Sequence, residues 1–419
     1  MNVPKLRFKE FKGDWTQTTL GMVSKNIMYG MNASAIAFDG KNKYIRITDI
    51  DDDNRTYLPS PLTSPSGKIE DKFKLQYGDI VFTRTGASVG KAYLYNPKDG
   101  NLFFAGFLVK FSITKNNPYF VFLQTLRSSY WSYVKATSMR SGQPGINAEE
   151  YKEFNFFIPS ISEQTKIADF LITVDEKIAQ LTQKCELLAR YKKGVMQQLF
   201  SQELRFKDDD GRDFPDWEEK LFGDVFSFLN TNSFSRELLN YEDGKVKNIH
   251  YGDIHTKYKS NFNIEIERVP YINNDVDLSK VSTENYCKVG DLVIADASED
   301  YNDIGKSIEI IKLNNEKLLA GLHTYIARDS LKCMALGFSG YLMQTEYVRL
   351  QLKTLATEVS VLGISKTNMG KVKLLIPSTK EQTKIANFLT TIDEKISQTQ
   401  TYLETVKQYK QGLLQQMFI

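Results

Sequence analysis

One stretch of this chain occurs twice. Residues 158–200 read IPSISEQTKIADFLITVDEKIAQLTQKCELLARYKKGVMQQLF, and residues 376–418 read IPSTKEQTKIANFLTTIDEKISQTQTYLETVKQYKQGLLQQMF. The copies align without a gap at an offset of 218, with 24 of 43 positions identical. A match of that length demands two equivalent structural units. Pro159 and Pro377 are tolerated just before a helix but not inside one. Ser160 or Ser162, followed by Glu163, reads as a cap and an acidic first turn. No Pro or Gly then interrupts until Gly194, or Gly412 in the second copy.

The apolar positions define the helix. In the first copy they are Ile167, Leu171, Val174, Ile178, Leu181, Cys185, Leu188, Val195 and Leu199. In the second they are Ile385, Leu389, Ile392, Ile396, Leu403, Val406, Leu413 and Met417. Steps of four and three make a heptad seam. Lys192 and Lys410 break it at the same place in both copies, and Thr399 faces it in the second only. A helix of about 38 residues is about 57 Å long. Alone it is unstable, so something must cover its stripe. The other copy is the obvious partner; separate packing of each helix on its own globular region is the alternative.

At 419 residues the chain suits two domains plus the helices rather than one core. Its 41% hydrophobic and 25% charged content is that of a globular protein. A net charge of +3 is too small to announce a nucleic-acid binder by itself. Cys185, Cys287 and Cys333 show no CxxC spacing, a pattern of reducing compartments. No signal peptide or membrane-length apolar run is visible, so a cytoplasmic location is expected.

The repeat extends beyond the helices. Leu6, Arg7, Phe8 and Trp15 return as Leu204, Arg205, Phe206 and Trp217. YIRITDI at 44–50 matches NIHYGDI at 248–254, read as a strand ending in Asp-Ile. Gly78-Asp79-Ile80-Val81-Phe82 matches Gly290-Asp291-Leu292-Val293-Ile294, a turn feeding a β-branched strand. Gly90-Lys91 matches Gly305-Lys306, and Ala105-Gly106 matches Ala320-Gly321. Residues 119–136 and 341–356 read as single amphipathic helices. Between these landmarks the two regions differ freely, as at residues 60–72 in the first and 255–280 in the second. The expected division is globular regions 1–158 and 202–376, each mixed α and β, with long helices at 159–201 and 377–419.

Catalytic signatures fail one by one. Asn116-Asn117-Pro118-Tyr119 lacks the second Pro of an adenine-methyltransferase box and reads as a turn before a helix. GASVGKA at 86–92 is one residue short of a phosphate loop and has Ala92 where a metal-binding hydroxyl belongs. The carboxylates at 216–219 crowd too closely for a nuclease metal site. His250, His255 and His323 are the only histidines and fit no zinc spacing. No Ser-His-Asp arrangement is supported.

Polar, basic and small residues collect instead at loop positions. In the first region these are Arg84, Thr85, Ser88, Lys91, Arg140, Ser141, Gln143 and Asn147. In the second they are His250, Tyr251, Ser298, Lys306, Lys366, Thr367 and Asn368. Such side chains can meet base edges and phosphates, and rigid scaffolds carry function on loops. Taken singly, each is equally well a solvated loop residue.

The order of parts, LRF…W, a variable region with its Gly-Asp strand, then IP…EQTKIA.FL…DEKI…YK.G..QQ.F, all repeated, resembles the specificity subunit of a type I restriction-modification system. The resemblance covers essentially the whole length. It implies an α+β architecture: two mixed target-recognition domains separated by two long antiparallel coiled-coil helices, with an internal pseudo-two-fold repeat. It implies that each domain reads one half of a split double-stranded DNA site, the half-sites about one helical turn apart, roughly 34 Å. It also implies partners. Two modification subunits would dock on the helices and hold S-adenosylmethionine; restriction subunits would use ATP and magnesium. This chain would itself need no cofactor, metal or membrane. The recurring Gln164, Lys166, Asp175, Glu176 and Lys177, with Gln382, Lys384, Asp393, Glu394 and Lys395, are expected on the exposed docking face. The competing class is a coiled-coil scaffold whose variable domains bind protein.

Overall fold

A computed structural model of the chain describes residues 3–139, 142–358 and 362–419. It divides into two compact units. Unit 1 comprises Met1–Thr182 with Thr401–Ile419, and unit 2 comprises Gln183–Gln400. The long helices run Ile161–Phe200 and Thr379–Gln416, so each unit owns the start of one and the end of the other.

Both units are built on the same antiparallel sheet. In unit 1 the strand order is Ser24–Tyr29, Leu108–Ile113, Asp79–Thr83, Ala92–Leu94. In unit 2 it is Phe226–Leu229, Thr324–Asp329, Leu292–Ala295, Ser307–Lys312, with Asn261–Asn263 added in parallel at the edge. The central strand explains the Gly-Asp signature. Gly78 and Gly290 stand at φ +91° and +92°, a region that favours glycine. Asp79 and Asp291 are buried and accept the N–H of the residue three back, Gln76 at 2.9 Å and Lys288 at 2.7 Å. The strand that follows is fully buried in both units.

The Asp-Ile segments depart from the expected strand. Each begins as a three-residue strand, Lys43–Ile45 or Lys247–Ile249, then turns into a short helix. The aspartate is the cause. Asp49 and Asp253 are buried, and Arg46 and Arg236 clamp them through two nitrogens each. The runs expected as single helices also break. Pro118–Gln124 is separate from Ser128–Ser138, and Phe338–Leu342 from Glu346–Leu355. Thr125 and Thr345 bond back to the carbonyls of Phe122 and Leu342, and Thr345 also caps the second helix.

A two-stranded ribbon leads into each long helix: Thr16–Thr19 against Asn155–Ile158, and Glu218–Leu221 against Lys373–Ile376. Within unit 1 the first long helix meets the end of the second, and Lys410 pairs with Asp175 at 2.6 Å. Within unit 2 Lys192 pairs with Asp393 at 2.6 Å. A late residue of one helix meets an early residue of the other in both units, so the helices pair antiparallel. The seam residues Ile167, Leu171, Val174, Ile178, Leu181, Ile385, Leu389, Ile392 and Leu403 are buried, while Leu188, Ile396 and Val406 are half-buried.

Candidate nucleic-acid interface

The repeated LRF…W segment holds each globular region to its helix. Glu163 is buried, and Arg7 donates to both its oxygens at 2.7 and 2.8 Å, with Trp15 Nε1 at 3.3 Å. Glu381 receives Arg205 at 3.1 and 2.8 Å and Trp217 Nε1 at 3.2 Å. The carboxylate hydrogen bonds raise both guanidinium groups above their ordinary range. One residue on, Gln164 and Gln382 are 2% and 0% exposed, which removes them from the expected docking face. Each instead staples the loop before a helix. Gln164 accepts from the Asn117 N–H at 3.1 Å, and Gln382 from the Ala335 N–H at 2.8 Å. Asp175 and Asp393 are also engaged, each by a lysine and by a tyrosine hydroxyl, Tyr119 or Tyr341. Glu176, Lys177, Glu394 and Lys395 are exposed.

On this frame sits a loop junction that recurs bond for bond. The Arg84 N–H donates to the Phe107 carbonyl at 3.1 Å, and the Ile146 N–H donates to the Arg84 carbonyl at 2.9 Å. In unit 2 the Asp296 N–H donates to the His323 carbonyl at 3.1 Å, and the Ile364 N–H to the Asp296 carbonyl at 2.9 Å. Strand register agrees: Thr83 pairs with Leu108, and Ala295 with Thr324. Thr85 bridges to Gly145, and Ala297 pairs with Gly363. Backbone is conserved between the units while side chains are exchanged.

In unit 1 the guanidinium of Arg84 lies over the Tyr29 ring, 4.6 Å from its centre, with one nitrogen 3.4 Å from the Gly106 carbonyl. No carboxylate pairs with it among the described residues. Thr85 is half-buried and Gln143 exposed beside Gly86. Ser88 lends its carbonyl to the Thr83 hydroxyl. Lys91 pairs with Asp52. Asn147 caps the helix Ala148–Lys152 in a reciprocal box with Glu150. Arg140 and Ser141 lie outside the described residues.

In unit 2 all three histidines surround Tyr251, with ring centres at 4.7 Å for His250, 5.4 Å for His323 and 6.2 Å for His255. His250 caps its helix by accepting the Gly252 N–H at 3.1 Å; burial lowers its pKa and the nearby Arg236 guanidinium adds to this. His323 stands 3.4 Å from Asp296. Burial raises the Asp296 carboxyl, against the pull of His323. Lys366 lies 5.4 Å from the centre of the Tyr325 ring, whose hydroxyl donates to the Ile364 carbonyl. Thr367, the next residue, is exposed, and Asn368 donates to the Leu355 carbonyl. Ser298 is buried in a turn with Asp300, and Lys306 donates to the His255 carbonyl at 2.6 Å. The junction thus gathers Arg84, Thr85 and Gln143 in unit 1, and His250, Tyr251, Lys366 and Thr367 in unit 2. Sequence reasoning missed Tyr29, His323 and Tyr325 as members; aligning strand registers is the signal that finds the last two.

Among the described residues no three His, Cys, Asp or Glu side chains converge as a metal site, and no helix is long and apolar enough to cross a membrane. Two loop clusters on one repeated frame define a class first: a duplicated recognition protein. The sequence model of the family described as the type I restriction modification DNA specificity domain matches residues 13–189 and 215–408. The chain therefore belongs to that family, whose members recognise DNA and are not themselves catalytic. Two relatives come from Methanocaldococcus jannaschii. The type I restriction enzyme MjaVIII specificity subunit is 25% identical over 374 residues, covering 85% of this chain and 82% of its own. The MjaX specificity subunit is 25% identical over 359 residues, covering 82% and 78%. Among solved structures, the type I restriction-modification S subunit from M. genitalium aligns over 100% of this chain and 99% of its own. Its TM-score is 0.60 at 16% identity. A chain from a study of assembly and conformational transition in a type I system aligns over 96% of both, at TM-score 0.53 and 15% identity.

Proposed function

We propose that each unit reads one half of an asymmetric bipartite DNA site, that the paired helices set the gap, and that two modification subunits dock on the chain. The carrying observation is the junction: identical backbone bonds at Arg84 and Asp296 present unlike side chains. A shared frame with exchanged side chains is what two half-sites of different sequence require, since base edges are read by side chains while phosphates position. The chain's small net charge implies that much of the phosphate contact comes from the modification subunits, with the catalytic cofactors. Restriction subunits, with ATP and magnesium, complete the complex.

Sequencing methylated adenines in cells that express the full chain with its modification subunit tests this reading. The expected result is one split motif with unequal halves. A motif with identical halves, or none, rejects it. Inserting one heptad into both helices is expected to lengthen the gap and leave the halves unchanged; an unaltered gap rejects the ruler.

A further inference from the structure

Position 84 and position 296 are the same place in two copies of one frame. Each lies one residue beyond the buried central strand, and its N–H and carbonyl tie together two further loops. The backbone at that point is fixed on both sides, so the side chain leaves it at a defined angle. Preorganisation of this kind is what a base-reading contact requires.

The chemistry at the two positions is opposite. Arg84 offers only donors and has no carboxylate partner among the described residues. Seven other arginines, Arg7, Arg46, Arg55, Arg205, Arg212, Arg236 and Arg328, each have one. The Tyr29 ring holds the guanidinium plane, and exposed Phe107 follows in the neighbouring loop. Asp296, when ionised, offers only acceptors. Its carboxylate is 20% exposed; Oδ1 is buried with no hydrogen bond of its own, 3.4 Å from half-exposed His323, and the Tyr325 hydroxyl also lies by the carboxylate.

We propose that these are the matched specificity-determining positions of the two units. Arg84 donates to the O6 and N7 edge of a guanine in the first unit's half-site. Asp296 accepts from the exocyclic amino group of a cytosine or adenine in the second unit's half-site. The pairing chemistry follows from the major-groove pattern of each base. The inference rests on the two-reader function proposed above.

The test uses the full chain with its modification subunit, a library of duplexes randomised across both half-sites, and the variants Arg84→Gln and Asp296→Asn. Both substitutions keep a polar side chain; Asp296→Asn is isosteric, and Arg84→Gln shortens the reach and removes the charged two-nitrogen fork. Arg84→Gln is expected to reduce discrimination at a single base pair of one half-site by roughly 5- to 150-fold. The other half-site should stay unchanged, which also shows that the variant is folded. Asp296→Asn is expected to do the same at one base pair of the opposite half-site, and the base released there tells cytosine from adenine. Unaltered preference at every position overturns the inference. So does a uniform loss across both half-sites, which marks a phosphate or scaffolding role. If the wild-type complex selects no split sequence, the function itself falls as well; if it does and the variants match it, only this inference falls.

Discussion

Glu163 in unit 1 and Glu381 in unit 2 are gripped alike, each by one arginine and one tryptophan at nearly equal distances. Arg84 and Asp296 share their backbone hydrogen bonds and strand register but not their side-chain chemistry. The contrast separates what fixes the frame from what varies upon it. Buried carboxylates with arginine partners lock the backbone, and losing one breaks a largely buried ion pair. A loop side chain that takes no part in the backbone bonds can be exchanged with little effect on the fold. The frame is therefore expected to fail equally in both units, and the reading to fail separately.

The largest effect tests the equal half. Glu163→Ala and Glu381→Ala each remove the carboxylate shared by an arginine and an indole N–H, leaving the arginine only its backbone carbonyl acceptors and, for Arg205, Asp216 at 3.9 Å. Each is expected to destabilise its own unit by about 3–5 kcal/mol. Denaturant unfolding followed by hydrogen exchange should place the loss in residues 3–139 for the first variant and 202–358 for the second. A loss under about 1 kcal/mol in either would break the equivalence of the two frames.

The next effect sharpens a difference. Glu309 lies opposite Leu292 in the unit 2 sheet, where unit 1 has Leu94 opposite Ile80. Its carboxylate accepts the Gly337 and Gly340 N–H groups at 2.7 Å each. Burial nonetheless raises its pKa from 4.5 to about 7. The folded chain then holds this proton more tightly than the unfolded chain. The stabilisation is complete below about 4.5 and is lost as pH rises through about 7. Unit 2 is expected to lose about 3 kcal/mol across that window, and Glu309→Gln to abolish this loss. Pulsed proteolysis of unit 2 at pH 5 and pH 8 measures it. Equal stability of the wild type at both pH values contradicts the prediction.

Much of this comparison could be read in the sequence, for a physical reason. Duplication preserves whatever the backbone depends on, so the Gly-Asp turn, the LRF…W strap and the helices appear as repeated letters. Gln164 shows the limit of that logic. A repeated polar residue on a helix looks like an exposed docking residue until its amide is seen stapling the loop of Asn117. The reading residues were legible only in part, because exchange is what defines them and no repeated letter marks them. Arg84 stood out as a basic loop residue. Tyr29, His323 and Tyr325 did not, since only three-dimensional register brings them to the junction. The Asp-Ile aspartates were misread as strand ends because a buried Arg–Asp clamp leaves no periodicity.

The smallest effect on stability carries the sharpest question about the helices. Lys192 and Lys410 interrupt both heptad seams, and both face an aspartate that a tyrosine also holds. The lysines are about one-fifth exposed, so solvent screens the pairs and each contributes only about 1 kcal/mol. A leucine would suit an apolar seam as well or better. A polar residue at one seam position, however, specifies register at some cost in stability. Replacing both lysines with leucine is therefore expected to change stability by less than about 1 kcal/mol per site, while alternative helix registers become accessible. If the helices set the gap, the methylated motif should then spread over more than one gap length with both half-sites intact. A single unchanged gap in the Lys192→Leu, Lys410→Leu chain would show that the apolar positions alone define the register and that the repeated lysines serve only local pairing.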